Sequence, residues 1–196
     1  MKIILASTSR YRRELVARLG LDVECVAPPY DEEVDKAAHP HLPLPDLARH
    51  LARGKARSLA AEHPDALVIG SDQIAEIDGW RLSKPHTPEG ARTQLRRLAG
   101  REHRLHTAVA LHHGATGRTE EALDVHRLKM RALTDDEIDA YVRRDAPLDC
   151  AGSYRVESLG VALFERITGD DYTAVIGLPL TRLTELLGRF GVSVLA

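Results

Sequence analysis

The chain has 196 residues, of which 43% are hydrophobic and 29% are charged. This length suits one domain with a sizeable core, and the composition excludes an intrinsically disordered chain. With a formal charge of -2, the protein has no overall positive field that would attract nucleic acid or anionic lipid. No apolar run approaches the ~18 residues of a membrane span, and the apolar start is shorter than the core of a signal peptide. We therefore expect one cytoplasmic domain over residues 1–196, with neither a nucleic-acid nor a membrane partner.

The first elements predicted are a strand, a tight turn and a helix. Residues 2–6 form an apolar run typical of a short buried strand, and the hydroxyls at 7–9 can cap a helix that ends at Gly20. A second strand over residues 22–28 leads into an acidic loop around residues 30–33.

The next helix and strand place the first polar candidates. Asp46 is expected to cap a helix over residues 47–63, which carries Lys55. The unbroken apolar run at 66–70 predicts a strand covered on both faces. Ser71, Asp72 and Gln73 follow this run, and we expect them at the end of that strand.

Local signals also define the rest of the chain. Asp78-Gly79 predicts a type I′ hairpin, and Thr87, Pro88 and Gly100 bracket a helix. Two further strands are predicted over 103–114 and 121–131, joined by a turn at 114–117. A capping box at 134–137 opens a helix that stops before Pro147. The chain then continues with a strand over 160–167, a loop at 169–171 and a helix over 180–189. Alternating strands and helices with hairpins indicate an α/β fold with a mixed sheet.

The turn that opens the first helix is a candidate phosphate site. Ser7, Ser9, Arg10, Arg12 and Arg13 cluster there. Cations at a helix N-terminus oppose the helix dipole, whereas a bound phosphate would accept bonds from free N–H groups, hydroxyls and guanidinium groups together. The alternative is a capped surface helix whose arginines point to water.

Carboxylates and lysines form the second group of candidates. Asp72 could hold a metal and orient water, or could simply cap the sheet in an Asx turn. Glu32 could add a second carboxylate, although acidic loops are usually solvated. Lys55 and Lys84 are expected to be solvated surface residues unless a phosphate site lies beside them, in which case they become candidate phosphate ligands. Small residues at 151–153 could let the backbone approach a ligand, or could form a simple turn before the next strand.

The histidines and cysteines are not expected to bind a metal. His39, His41, His112 and His113 could bind metal, but no acidic or cysteine partner flanks them in the sequence. The histidines are therefore expected at the surface. The two cysteines have no metal-like spacing and are expected to be buried thiols.

Six motifs in chain order resemble the Maf family of nucleotide pyrophosphatases. They are ASTSRYRREL at residues 6–15, Asp31-Glu32, Lys55, GSDQ at 70–73, Ser83-Lys84-Pro85 and CAGSYRVE at 150–157. The resemblance runs from residue 3 to about 187. It implies an α/β domain whose elongated mixed sheet is flanked by helices around a central nucleotide-binding cleft. It also implies a divalent cation, Mg²⁺ or Mn²⁺, release of pyrophosphate and a homodimer.

Three residues resemble the branch of this family that acts on 7-methyl-GTP. They are Tyr11, Gln73 and Glu157, expected to read the base. An aromatic face attracts the cationic methylated guanine, and a carboxylate complements its charge. Arg10 stands where proline is usual, and Tyr11 stands where tryptophan is frequent.

The resemblance also assigns roles around the phosphates. Asp72 is the expected general base and, with Glu32, holds the metal. The phosphate-binding residues are expected to be Ser7, Arg12, Arg13, Lys55 and Lys84. Three alternatives stay open: pyrophosphatase action on UTP, dTTP or CTP, a non-hydrolytic nucleotide-binding regulator of cell division, and a nucleotidyltransferase.

Overall fold

The computed structural model describes all residues from 1 to 196. The strands are β1 Ile3–Ala6, β2 Val23–Val26, β3 Leu67–Ile77, β4 Trp80–Leu82, β5 Glu102–His113, β6 Arg118–Met130 and β7 Phe164–Thr168. The helices are α1 Arg10–Ala17, α2 Glu32–Ala38, α3 Leu44–Ser58, α4 Pro88–Leu98, α5 Asp135–Asp145, α6 Tyr172–Ile176 and α7 Leu180–Arg189. None of these helices combines the length and apolar character that crossing a membrane requires.

The seven strands form one mixed sheet in the order β2-β1-β3-β5-β6-β7, with β4 paired to β3 outside that path. β1 runs parallel to both β2 and β3, whereas the β3–β4 and β6–β7 pairs are antiparallel. The α/β class with a mixed sheet flanked by helices is thereby confirmed.

The chain divides into two compact units. Unit 1 comprises residues 1–73, 107–124 and 171–196, and unit 2 comprises residues 74–106 and 125–170. β3, β5 and β6 each contribute residues to both units. The prediction that residues 1–196 form a single domain therefore stays a prediction.

Unit 1 buries both faces of β1 and of its part of β3. Alternate residues of β1 and β3, including Leu5 and Ile69, pack into one apolar cluster with α1 and α7. On β3, a Cβ at Gly70 would lie 2.1 Å from the Ala52 carbonyl oxygen, so only glycine allows α3 to lie this close to the strand. This close packing brings the middle of α3 against the polar residues that follow Gly70.

Unit 2 is organised around the α4 and α5 pair. Arg92 Nε lies 2.5 Å from Asp139 Oδ1, and Arg96 Nε lies 2.6 Å from Asp135 Oδ1. The Thr87 cap of α4 and the capping box of Thr134 and Glu137 form as predicted. The φ angles of Asp78 and Gly79, 52° and 78°, are both positive, as the predicted type I′ turn requires.

Four sequence expectations are wrong. The acidic segment after Tyr30 is the start of α2, because Asp31 accepts bonds from the backbone N–H groups of Glu33 and Val34 and caps a helix. Asp46 lies inside the first turn of α3, whose N-cap is Pro43. Residues 71–73 lie in the interior of β3, and a 3₁₀ turn at Leu159–Leu163 precedes a strand that begins only at residue 164.

Candidate active site

A carboxylate from β3, a carboxylate from α2 and two lysines form a charge cluster in unit 1. Lys55 Nζ donates to Asp72 Oδ1 at 2.7 Å and lies 2.5 Å from Glu32 Oε2. Lys36, one helical turn after Glu32, pairs with the other oxygen of that carboxylate. We call these four residues, Glu32, Lys36, Lys55 and Asp72, the charge cluster.

Burial makes this cluster electrostatically strong. Asp72 is 2% exposed and Lys55 is 7% exposed. Desolvation, reinforced by the negative charge of Glu32, raises the pKa of Asp72 despite the opposing effect of Lys55 and Arg12. Desolvation acts on Glu32 as well, but Lys55 and Lys36 outweigh it and hold the pKa of Glu32 at about 2.

The second carboxylate oxygen of Asp72, Oδ2, is the atom of the cluster to which a ligand could bind. Oδ2 is buried and accepts no hydrogen bond, although a buried carboxylate oxygen normally has a partner. Mg²⁺ and Mn²⁺ prefer oxygen ligands. The carboxylates of Glu32 and Asp72 therefore fit such a cation, with Asp72 Oδ2 as the atom that lacks a partner.

The turn before α1 provides donors and positive charge. Ser9 is the N-cap, as predicted, and its Oγ accepts from the Arg12 backbone N–H at 3.4 Å. The buried Ser7 accepts from the Ser9 N–H at 3.1 Å. Arg12 Nε donates to the Gly177 carbonyl at 2.9 Å, so its terminal nitrogens remain for an anion. Arg13 is exposed.

The side chain of Gln73 is fixed by its amide nitrogen. Nε2 donates to Thr107 Oγ1 at 3.0 Å, to the Ala174 carbonyl at 2.8 Å and to the Val175 carbonyl at 3.1 Å. Both amide hydrogens are thus used in hydrogen bonds within the protein. A ligand can use Gln73 only through Oε1, as a hydrogen-bond acceptor.

Tyr11 is half-buried on α1 and is accompanied by the preceding residue. The Arg10 guanidinium carbon lies 5.1 Å from the centre of the Tyr11 ring. Arg10 also lies 3.4 Å from Glu14 one turn later. The aromatic face expected to receive a base is therefore already in contact with a cation.

Lys84 and Glu157 belong to unit 2. Lys84 is exposed in the segment between β4 and α4, where the neighbouring Ser83 carbonyl accepts from Gln94 Nε2 at 2.9 Å. Glu157 is exposed in the turn after Arg155. The structure thus unites Glu32, Lys55 and Asp72 in unit 1, and it describes Lys84 and Glu157 within unit 2 alone.

Sequence reasoning missed several supporting contacts. The Ser71 hydroxyl lies within hydrogen-bond distance of two carbonyls, Ala108 at 2.8 Å and Gly177 at 3.1 Å. Gly177 thereby connects Ser71 with Arg12. Only Lys36 carried a local signal, because it stands four residues after Glu32 on one helix. The other contacts join residues distant in sequence.

The expected surface position is wrong for four of the ten histidines. His103, His106, His112 and His126 are each 7% exposed or less. His103 Nε2 lies 2.8 Å from the Tyr154 hydroxyl, and His106 Nε2 lies 2.6 Å from Glu76. Each of these two rings thus has one nitrogen paired with a polar group, whereas its Nδ1 is buried without a partner. The two cysteines are free and only partly buried.

Comparison with known proteins identifies the family. Residues 2–190 match the family described as Maf-like protein. A 7-methyl-GTP pyrophosphatase of Syntrophotalea carbinolica is 48% identical over 194 residues, covering 98% of this chain and 96% of that protein. A protein of the same name from Bordetella pertussis is 50% identical over 190 residues, covering 97% and 92%. One from Xanthomonas axonopodis pv. citri is 47% identical, covering 97% of each.

A solved structure, that of the Staphylococcus aureus Ham1 protein, superposes with a TM-score of 0.47 at 12% identity, covering 67% of this chain and 73% of that one. The motifs at the start of α1, in β3 and at residues 150–157 thus lie within a family match that spans nearly the whole sequence. The chain belongs to the Maf-like protein family.

Proposed function

We propose that this protein hydrolyses a nucleoside triphosphate, with 7-methyl-GTP as the preferred substrate, to the monophosphate and pyrophosphate. The observation that carries the proposal is the environment of Asp72. Lys55 holds one carboxylate oxygen, and the other is buried without a partner. A fixed carboxylate with one free oxygen is suited to accept a proton from water.

Glu32 and Asp72 would hold Mg²⁺ or Mn²⁺, which would supply charge stabilisation at the phosphates. A lone pair of the Asp72 carboxylate that the cation does not occupy takes the proton of the water that attacks the α-phosphorus. Lys55 keeps Asp72 oriented by its bond to Oδ1. The bond from the α-phosphorus to the bridging oxygen then breaks, and pyrophosphate leaves with the electron pair.

Positive charge is needed where the leaving group gains negative charge. Arg12 is fixed by Gly177 through Nε alone, so its terminal nitrogens are assigned to the phosphates. Ser7, Arg13, Lys55 and Lys84 complete the proposed phosphate-binding set. Apart from Lys55, which is already paired with Glu32 and Asp72, the cations of this set would be incompletely neutralised until the triphosphate binds.

Base recognition is assigned to Tyr11, Gln73 and Glu157. Tyr11 offers a face for the cationic ring, a contact worth about 0.5–2 kcal/mol. Gln73 can accept through Oε1 from the N–H groups of guanine, because its own N–H groups are committed to the protein. Glu157 adds a negative charge and two further acceptor oxygens.

The cellular setting is part of the same proposal. We assign the enzyme to the cytoplasm as a homodimer, acting on a small nucleotide and on neither nucleic acid nor membrane. Light scattering during size-exclusion chromatography would test the dimer directly.

The first experiment compares kcat/KM for 7-methyl-GTP, GTP, UTP, dTTP and CTP with Mg²⁺. We expect one pyrophosphate and one monophosphate per turnover and the highest value for 7-methyl-GTP. Binding without any product would favour the non-hydrolytic regulator, a condensed sugar nucleotide would favour the transferase, and preference for UTP, dTTP or CTP would withdraw the 7-methyl-GTP assignment.

The base assignment has its own test in Glu157→Gln. Removing the charge while keeping the shape should lower kcat/KM for 7-methyl-GTP about tenfold more than for UTP, because a charge-assisted hydrogen bond contributes about 1.5–3 kcal/mol. The exposed and unassigned Glu165→Gln serves as the matched control. Equal losses on both nucleotides would remove Glu157 from base recognition.

A further inference from the structure

One carboxylate and two imidazoles meet where α2 lies against α3. Asp35 Oδ1 lies 3.0 Å from His39 Nδ1, and Asp35 Oδ2 lies 2.9 Å from His50 Nε2. The potential ligand atoms of these three residues all lie within 4.8 Å of one another. All three side chains are half-buried, so the group is neither a fully solvated surface cluster nor a sealed core.

The local sequence explains why these groups converge. Asp35 lies in the middle of α2 and His39 is its C-cap residue, four positions later, a spacing that brings the two side chains to one side of the helix. His50 comes from α3, and the two rings lie 4.2 Å apart between centroids. The acidic partner of His39 is thus on its own helix, and the sequence prediction that no such partner existed is corrected.

Tyr30 and Gly54 support the group from behind. The Tyr30 hydroxyl donates to Asp35 Oδ2. A Cβ at Gly54 would lie 2.5 Å from Tyr30 Cε2, so this glycine, one turn after His50, is what lets the ring lie across α3. A hydrogen-bond donor behind a ligating carboxylate is typical outer support of a metal site.

We propose that Asp35, His39 and His50 form a Zn²⁺ site, separate from the hard-cation site assigned to Glu32 and Asp72. Two imidazoles and one carboxylate are a ligand set typical of Zn²⁺, with water in the fourth position. Mg²⁺ prefers oxygen ligands in an octahedral arrangement and is a poor match for two imidazoles. The ligand chemistry therefore separates the two sites.

The geometry needs only a small adjustment to accept the ion. Ligand atoms held at about 2.0–2.2 Å in a tetrahedron lie roughly 3.4 Å apart. The present separations of 3.0 Å and 2.9 Å from Asp35 would therefore open by a few tenths of an ångström. His39 would bind through Nδ1, which also lies 2.9 Å from the Asp35 carbonyl oxygen, so ion binding would move the ring proton to Nε2 and release that contact. His50 would bind through Nε2.

The position of the site gives the ion a structural consequence. α2 has only seven residues, none of them buried, and it carries Glu32 at its first position. α3 carries Lys55, the partner of Glu32. Zn²⁺ would cross-link these two helices and hold α2 in the orientation that the Glu32–Lys55 pair requires.

The binding test is a Zn²⁺ titration against a competing chromophoric chelator, in saturating Mg²⁺ so that the hard-cation site is filled. We expect one Zn²⁺ per chain in the wild type. His50→Gln and His39→Gln should each weaken binding by about 100-fold or more, since loss of mere outer-shell support already costs 10–100-fold. The control is His113→Gln, a half-buried histidine bonded to Thr116, and it should keep wild-type affinity.

Two further measurements keep the test decisive if a variant is unstable. Zn²⁺ at about 100 times its Kd should raise the wild-type Tm by about 5–10 °C, and the His39 and His50 variants should lose this shift. In the unsubstituted protein, nuclear magnetic resonance of the ten histidines should show Zn²⁺-induced shifts centred on His39 and His50. Wild-type affinity in both variants, displacement of Zn²⁺ by Mg²⁺, or shifts at other histidines would overturn the site.

Discussion

The charge cluster of unit 1 and the loop around Arg155 in unit 2 both contain carboxylates beside polar partners, but they differ in how completely the carboxylate oxygens are paired. In unit 2 the Ser158 hydroxyl lies within hydrogen-bond distance of both oxygens of Asp145, and Oδ2 also accepts from Tyr141 at 2.7 Å. In unit 1 the buried Asp72 has one oxygen bonded and one without a partner.

This difference separates a group that stabilises a fold from one that is ready to react. A polar network fixes a chain segment, as Arg155 does by donating to the Asp145 carbonyl at 2.8 Å and to Asp149 at 2.6 Å, although its Nε is buried without a partner. An unsatisfied buried carboxylate costs folding free energy and is retained where it has chemistry to perform. Substitution of Asp72 should therefore change turnover, whereas substitution of the paired groups around Asp145 should change stability.

The largest expected effect follows from Asp72→Asn. The amide keeps the shape of the side chain but cannot accept a proton as a base, so kcat should fall about 10²–10⁴-fold. Circular dichroism and Tm should show that the variant is folded. Residual activity above about a tenth of wild type would be far outside the loss expected for a general base, and would assign the proton to another group.

The next effect is a pH dependence of stability in unit 2. His103 is 2% exposed, and burial lowers its pKa to about 4 from the ordinary value of 6.5. Between these values the unfolded state binds a proton that the folded state does not, so stability is full above pH 6.5 and falls as the pH drops toward 4. The loss should be on the order of 3 kcal/mol.

Urea denaturation at several pH values in this window checks that expectation. His103→Gln removes the titrating ring while leaving an amide that can bond to the Tyr154 hydroxyl, so its stability should depend less on pH than that of the wild type. His113→Gln, a half-buried histidine bonded to Thr116, is the matched control. Parallel pH profiles for His103→Gln and wild type would show that His103 is not the responsible group.

A smaller stability effect is expected from Tyr141→Phe. The hydroxyl donates to Asp145 Oδ2 and accepts from the Arg155 backbone N–H at 3.0 Å, and the residue is 4% exposed. Leaving these buried partners unpaired should reduce the free energy of unfolding by about 1–3 kcal/mol. The change should appear in urea denaturation, and a loss confined to kcat would contradict the structural role assigned to this loop.

The two regions also show which features the sequence could predict. The caps at Thr87 and Thr134 and the Asp78-Gly79 turn depend on neighbours within four residues, so local chemistry was sufficient to locate them. The position of Asp72 was predicted incorrectly because a polar triplet after an apolar run resembles a strand end. In the folded chain Lys55 and the α3 backbone cover the strand at that point, and a polar residue remains inside it.

The candidate site was predictable as a set of residues but not as a set of contacts. The motif resemblance named Glu32, Lys55 and Asp72 together. Nothing local indicates that Lys55 lies between the two carboxylates, because its partners are 23 residues before and 17 residues after it in the chain. The group of Asp35, His39 and His50 was missed for the same reason, since His50 is on another helix.

The smallest effect concerns Arg10, which contacts the face of Tyr11 with its guanidinium carbon 5.1 Å from the ring centre. A methylated guanine also carries positive charge, so the two cations compete for one aromatic face. An exposed cation–π contact is worth about 0.5–1 kcal/mol, so Arg10→Ala should raise the ratio of kcat/KM for 7-methyl-GTP over GTP by about two- to fivefold. Using the ratio cancels any contribution of Arg10 to the phosphates, which both substrates share.

Two companion variants make this test specific. Arg10→Pro should act like Arg10→Ala, because residue 10 is the first of α1 and proline is well tolerated at that position. Glu14→Gln removes the ion-pair partner of Arg10, 3.4 Å away, but leaves the guanidinium in place, so the ratio should not rise. If both Arg10 variants left the ratio unchanged, the base would not compete with Arg10 for Tyr11, and selection of the methylated purine would then rest on Gln73 and Glu157.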